Sequence, residues 1–174
     1  MAHVPEDRQR DGLVLSFPVA DNLVLNTYYL PPFARMGMLD QETILAAAEQ
    51  RVREFDVRTP SVLTPVSSLS GGNQQKVIIA REFSRPIRLL IASQPTRGLD
   101  VGSIEYIHRR IIEKRDEGCA VFLVSSELDE VVRRSHRVAV LREGRKIAEL
   151  TGDDIDEHTI MHAIASAGPH EPTD

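Results

Sequence analysis

Apolar positions along the chain fall into two spacings. Behind Asp40, which can cap a helix, Ile44, Ala48, Val52 and Phe55 recur at the helical interval, predicting a helix from Leu39 that ends before Pro60. Ser70-Gly71-Gly72 leads into Val77, Ile78 and Ala80 and predicts a second helix over Asn73 to Phe83. A third runs from Ser103 to Glu117 with Ile104, Ile107 and Ile111 on one face and Gly118 as its C-cap, and shorter ones are expected at Glu127 to Arg134 and near Ile155 to Ala165. The other spacing is the short apolar run. Leu89 to Ala92, Ala120 to Val124 and Val138 to Leu141 read as buried strands, and strand, helix, strand, helix, strand predicts a parallel sheet in an α/β domain. Glu143-Gly144-Arg145 is a hairpin turn ahead of Lys146 to Leu150. His3 to Phe17 reads as a loop after a short strand end, as if cut from something longer, and the polar tail Pro169 to Asp174 is expected to be disordered.

Composition narrows the class. The chain has 174 residues, 41% of them hydrophobic and 27% charged, which suits one globular unit; aromatics at 5% and no Trp make its core aliphatic. Acidic residues outnumber basic ones 26 to 21, and the basic ones form no long run, which argues against nucleic acid or an anionic membrane as partner. Cys119 is the single cysteine, so this chain cannot build a disulfide framework or thiolate cluster; a reducing, cytoplasmic setting is expected. No apolar stretch approaches the ~20 residues of a membrane-spanning helix, so any membrane role would run through a partner.

Candidate chemistry concentrates at Ser70-Gly71-Gly72-Asn73. A Ser-Gly-Gly turn at a helix start lets backbone N–H groups approach an anion, adds a hydroxyl, and aims the positive end of the helix dipole at it. Taken alone, it reads more readily as an ordinary capped turn. His158 and His162 stand four apart on the last expected helix, but no third ligand is evident and no metal is assigned.

Leu69 to Arg81 resembles the signature motif of the ATP-binding-cassette family, with Asn73-Gln74-Gln75-Lys76 in the form typical of bacterial monosaccharide and nucleoside importers. Further matches follow in the family's order: Val4 to Arg8 for the Q-loop region, Leu89 to Thr96 for Walker B, Arg97 to Asp100 for the D-loop, and Val124 to Glu130 for the switch. The resemblance implies the C-terminal part of a P-loop NTPase domain, from a second cassette of such an importer. Its segments would be a Q-loop-like stretch at 1–16, a helical subdomain carrying the signature at 17–84, a partial RecA-like parallel sheet at 85–150, and a C-terminal helix and tail at 151–174.

The departures from the family decide the expected function. No G-x-x-x-x-G-K-[ST] occurs; Ser93 and Gln94 stand where the family usually has Asp and Glu, Ser126 where it has a switch histidine, and Glu6 where it has Gln. Neither Ser93 nor Gln94 can deprotonate water, and the Glu6 carboxylate is expected to repel phosphates close by. Asp100, matching the D-loop, and Glu127, a first-turn helix acid, are not expected to substitute as catalytic carboxylates. In the family, two cassettes close head to tail on two ATP molecules, so the resemblance implies that Ser70, Gly71, Gly72 and Asn73 serve ATP held by a partner cassette, expected to be fused upstream, and that Asp100 helps couple the sites. ATP and Mg²⁺ would act only in the full dimeric assembly, and the chain alone is expected neither to bind them as cofactors nor to hydrolyse ATP. Membrane permease subunits are the other implied partners, placing the protein on the inner face of the plasma membrane. Two further readings stay open: a structural module that docks a permease with vestigial nucleotide contact, and a chromosome-maintenance type ATPase, against which the lack of long heptad arms counts. A sheet missing the Walker A strand would leave open edges, so self-association of this chain is expected.

Overall fold

A computed structural model describes residues 1–166; the tail expected from Pro169 to Asp174 lies outside them. The described residues form two compact units, one from Met1 to Val124 and one beginning at Ser125.

The first unit opens with strand β1 (Ala2–Val4), followed by a single wide helical turn over Arg8–Gly12 where a plain loop was expected. Asp7 caps that turn by accepting from the backbone N–H groups of Gln9 and Arg10. Helix α1 (Val19–Val24) and the two-residue strands β2 (Ala34–Arg35) and β3 (Met38–Leu39) come next. Met36 and Gly37 turn that hairpin with φ of 51° and 79°. Helix α2 (Gln41–Glu54) starts where expected, the Asp40 carboxylate accepting from the N–H of Thr43.

Helix α3 (Gly71–Phe83) is the hub, buried over every residue from Gln74 to Phe83. It packs against β1, α1 and the Arg8–Gly12 turn, and Val77, Ile78, Ile79 and Ala80 are fully enclosed with Val4, Leu23, Val66, Leu90 and Ile107. Burial extends to Arg81 and Glu82, which pair at 3.1 Å; Arg81 Nη1 also donates to Gly12 O and Arg85 Nη2 to Glu82 Oε2, so the buried charges are satisfied. Strand β4 (Leu89–Ser93), helix α4 (Val101–Asp116) and strand β5 (Ala120–Val124) complete the unit. The sheet has the order β1-β4-β5, all parallel, with Val4 opposite Ala92 and Ser93 opposite Val124.

The second unit holds α5 (Leu128–Arg134), β6 (Arg137–Arg142), β7 (Arg145–Thr151) and α6 (Glu157–Ser166) around Val138, Val140 and Ile160. Here the expectation of three strands in one parallel sheet is corrected. Strand β6 pairs with β7 in an antiparallel hairpin instead, turned by Glu143 and Gly144 at φ of 49° and 75°. Its apolar run hides an alternation: Val138 and Val140 face inward while Ala139 and Leu141 face out, the pattern of a half-exposed strand. Strand β5 departs from full burial in the same way, with Phe122 59% and Val124 41% exposed. Among the described residues no helix is long and apolar enough to cross a membrane.

Candidate functional site

Ser70 is the N-cap of α3, its Oγ accepting from the N–H of Asn73 at 3.4 Å and from Asn73 Nδ2 at 3.0 Å. The orientation of the Asn73 amide is set from the other side, because the backbone N–H of Arg58 donates to its Oδ1 at 2.8 Å. Below the loop, Gln74 and Gln75 point into the protein: Gln74 Nε2 donates to Val66 O and Gln75 Nε2 to Pro95 O at 2.8 Å. The loop is thereby tied both to the chain preceding it and to the segment after β4.

Two glycines leave room for neighbouring side chains here. A Cβ at Gly71 would lie 2.8 Å from Arg8 Nη2, and one at Gly72 would overlap Ser103 Oγ and come within 3.2 Å of Asp100 Oδ2. Asp100 and Ser103 belong to the start of α4, where Asp100 Oδ1 accepts from the Ser103 N–H at 3.0 Å and Oδ2 from the Ser103 hydroxyl at 2.7 Å. These bonds hold the Asp100 carboxyl below its ordinary pKa, the Ser103 side chain contributing most. Two segments separate in sequence, the signature-like loop and the D-loop-like turn, therefore meet at Gly72.

A cleft of about 400 Å³ adjoins them, lined among others by Asp56, Ser70, Asn73, Lys76, Asp100 and Tyr106. Its wall is a buried cation. Lys76 Nζ donates to Asp56 Oδ2 at 2.6 Å and to Asp56 O at 2.8 Å, and lies 4.6 Å from the centre of the Tyr106 ring. The Lys76 bond lowers the Asp56 pKa, while burial raises that of Tyr106.

Glu6, whose carboxylate would repel phosphates held close by, is paired: Arg97 Nη1 donates to Glu6 Oε1 at 2.6 Å. Arg8 joins the same cluster by donating from Nη1 to Arg97 O at 3.0 Å. Ser93 ends β4, and Gln94 follows at φ 47° with its N–H donating to Val124 O at 2.7 Å. Ser126 lies in the second unit, beside a turn in which the Glu127 N–H donates to Ser125 Oγ. The fold thus gathers Ser70, Gly71, Gly72, Asn73 and Asp100 into one site and links Glu6 to the D-loop-like segment. His158 and His162 stack at 6.3 Å on α6, and among the described residues no group of three or more His, Cys, Asp or Glu side chains could hold a metal ion.

Sequence reasoning placed Arg8 and Arg97 only within the Q-loop-like and D-loop-like segments, gave neither a role, and missed Arg58. The only local sign was the charge density of Glu6-Asp7-Arg8 and of Arg97 beside Gly98; their approach to the loop is a product of folding.

Among proteins similar to this chain, the nucleoside import ATP-binding protein NupA of Lactococcus lactis subsp. cremoris is 57% identical over 145 residues, 83% of this chain and 29% of that protein. The guanosine import ATP-binding protein NupO of Bacillus subtilis is 48% identical over 98% of this chain and 34% of its own length. A ribose import ATP-binding protein, RbsA 2 of Burkholderia ambifaria, is 42% identical over 97% of this chain and 34% of its own. The chain spans about a third of the length of these curated relatives. No family model matches it. In fold it is similar to a dimeric bacterial ABC transporter cassette, with a TM-score of 0.69 at 23% identity over 87% of this chain and 62% of the other. It is likewise similar to cbiO1 of Clostridium perfringens, part of the ABC transporter complex cbiONQ, with a TM-score of 0.66 at 20% identity over 95% of this chain and 63% of that one.

Proposed function

Because the chain belongs to the ATP-binding-cassette family, we propose that it is part of the nucleotide-binding component of an importer and lends its signature loop to ATP held by a partner cassette. The observation that carries this reading is the loop's placement. Ser70, Gly71, Gly72 and Asn73 open α3 in its first turn, beside the Asp100 cap of α4. The helix start presents N–H groups and a positive dipole end to a terminal phosphate.

The same residues fit a phosphate better than they fit Mg²⁺. Ser93 and Gln94 offer no carboxylate, and the Glu6 carboxylate is taken up by Arg97. When bound across the two cassettes, ATP supplies the phosphoryl group whose hydrolysis drives transport. This chain's contribution is to position that phosphate with Ser70, Gly71 and Gly72 and to couple the sites through Asp100. Ser93, Gln94 and Ser126 leave it without a general base of its own, so it does not hydrolyse ATP alone. Its partners are a second cassette and membrane permease subunits, at the cytoplasmic face of the membrane. Nucleosides are the favoured cargo over ribose, since the nucleoside and guanosine importers are 57% and 48% identical against 42% for the ribose importer.

The test is made in the assembled transporter. Ser70→Ala is expected to lower its ATPase rate by about 10²–10³-fold, the range for loss of a donor to transition-state charge; Gln94→Ala is expected to leave it unchanged, and uptake should favour guanosine over ribose. A second reading, a module that docks a permease with vestigial nucleotide contact, draws on the exposed apolar side chains Tyr28, Tyr29, Leu30, Met36 and Met38. Under it, Ser70→Ala would leave the ATPase rate untouched.

A further inference from the structure

Three cations from separate elements share one cleft at the end of α3 opposite the signature-like loop. Arg51 of α2, Arg85 just after α3 and Lys114 of α4 line a cavity of about 400 Å³, with Glu54 as the one acidic residue in its wall and Phe83 and Pro86 as apolar surface. The 13 residues of α3 set this cleft roughly 20 Å from Ser70. Helix dipoles account for a cation in the last turn of α2 and of α4, yet they leave its donors without acceptors. Arg51 Nη1 donates to Leu23 O at 2.6 Å, and among the described residues its Nε and Nη2 have no acceptor. Burial pushes the Arg51 guanidinium below its usual pKa, with the Glu54 charge opposing. Arg85 engages Met1 O and Glu82 Oε2 through Nη2 alone, and the Glu82 carboxylate is divided, because Arg81 draws on its other oxygen. Lys114 Nζ reaches Glu117 at 2.6 Å, an exposed partner whose attraction is weak in water. In a chain of formal charge −5, this wall thus sets three cations against one carboxylate.

Spare donors on two guanidiniums and an ammonium, converging from three elements, match a tetrahedral oxyanion better than one planar carboxylate. A phosphate dianion also carries the charge that balances the excess. Phe83 and Pro86 offer apolar surface to a short carbon skeleton attached to it. We infer that this cleft is a binding site for a dianionic phosphate, free or borne by a small organic ester, separate from the signature-like loop. Its occupant would tie α2, the end of α3 and α4 together, and the inference stands whether or not Ser70 to Asn73 contact ATP.

The experiment titrates the full chain with glycerol 3-phosphate, orthophosphate and citrate at constant ionic strength. The Nε–H signals of Arg51 and Arg85 and the backbone amides of Gly71 and Gly72 are followed by NMR. The arginine signals are expected to shift saturably with a phosphate probe, at a Kd on the order of 1 mM or tighter, and the glycine amides to stay in place. Lys114→Gln and Arg51→Gln are each expected to weaken that Kd by about tenfold or more, as loss of one charge-assisted contact implies. Arg51 also packs over Phe33, so if Arg51→Gln does not fold, Lys114→Gln, whose ion-pair partner is exposed, decides alone. Tighter binding of glycerol 3-phosphate identifies an ester as the occupant and tighter binding of orthophosphate the free ion; either supports the site. Arginine signals still unsaturated at about 10 mM of either phosphate, a Kd unchanged in Lys114→Gln, or citrate binding tighter than both phosphates overturns the inference. Movement of the glycine amides alone would put the anion at the loop and likewise overturn it.

Discussion

Lys76 is the residue on which the cleft wall depends. Its ammonium is nearly buried, its carboxylate partner Asp56 is more than half exposed, and the ring of Tyr106 covers the remaining side. Asp56→Asn keeps the positive-φ backbone that Asn tolerates and removes only the charge. It is expected to cost about 1–2 kcal/mol, a buried-pair value discounted for the exposed partner, and more than Lys76→Met, which removes the cation itself; urea unfolding of both variants checks the order. The sign of the pH dependence follows from the lowered Asp56 pKa, whose first cause is the Lys76 bond. A depressed carboxylate stabilises fully above its unfolded pKa of about 3.9 and loses that contribution as pH falls through its folded value. Acid unfolding followed between neutral pH and pH ~3 should therefore be shallower in Asp56→Asn than in the unaltered chain. At this scale the sequence was informative where the chemistry is local. Ser70 to Asn73 could be read from adjacent residues, whereas the contact of Arg8 with Arg97 joins residues 89 apart and leaves no periodic trace.

Helix α3 carries the element-scale argument, because every residue from Gln74 to Phe83 is buried. Ile78 is fully buried and packs on the bare backbone of Gly12, where a Cβ would stand 2.6 Å from Ile78 Cδ1. Ile78→Ala is expected to cost about 2–5 kcal/mol, the range for a large-to-small change in a rigid core, read from the shift in urea midpoint. The β6–β7 hairpin stands at the other extreme, with a core of three buried apolar residues among the described residues of its unit. Its amides are expected to exchange with deuterium well before those of α3, and protection of β6 equal to that of Ile78 and Ile79 would refute this. Element by element, the long amphipathic helices and the Glu143-Gly144 hairpin were legible. Helix α1 was not, because its six residues include Asn22, fully buried to bond the backbone of Val14, Phe17 and Pro18. A polar residue at a core position interrupts the apolar stripe that would have announced the helix.

On the scale of the whole molecule, the sheet of the first unit ends at β5, which pairs with β4 on one side only. The strand is Ala120-Val121-Phe122-Leu123-Val124, with no charge, proline or glycine to discourage pairing. Val121 and Leu123 pack against the core while Phe122 stands mostly in solvent and Val124 is partly exposed. An apolar edge of this kind templates association through its unpaired N–H and C=O groups. Two copies meeting antiparallel about Phe122 would oppose no like charges. The chain is therefore expected to self-associate in a concentration-dependent manner by light scattering, and Phe122→Lys, which places a charge on the exposed face of the edge, to shift the distribution toward monomer. A monomer persisting at high protein concentration in the unaltered chain would remove the premise. Association undiminished in Phe122→Lys would place the contact elsewhere, with the apolar surface around Tyr28, Tyr29 and Met36 as the next region to test.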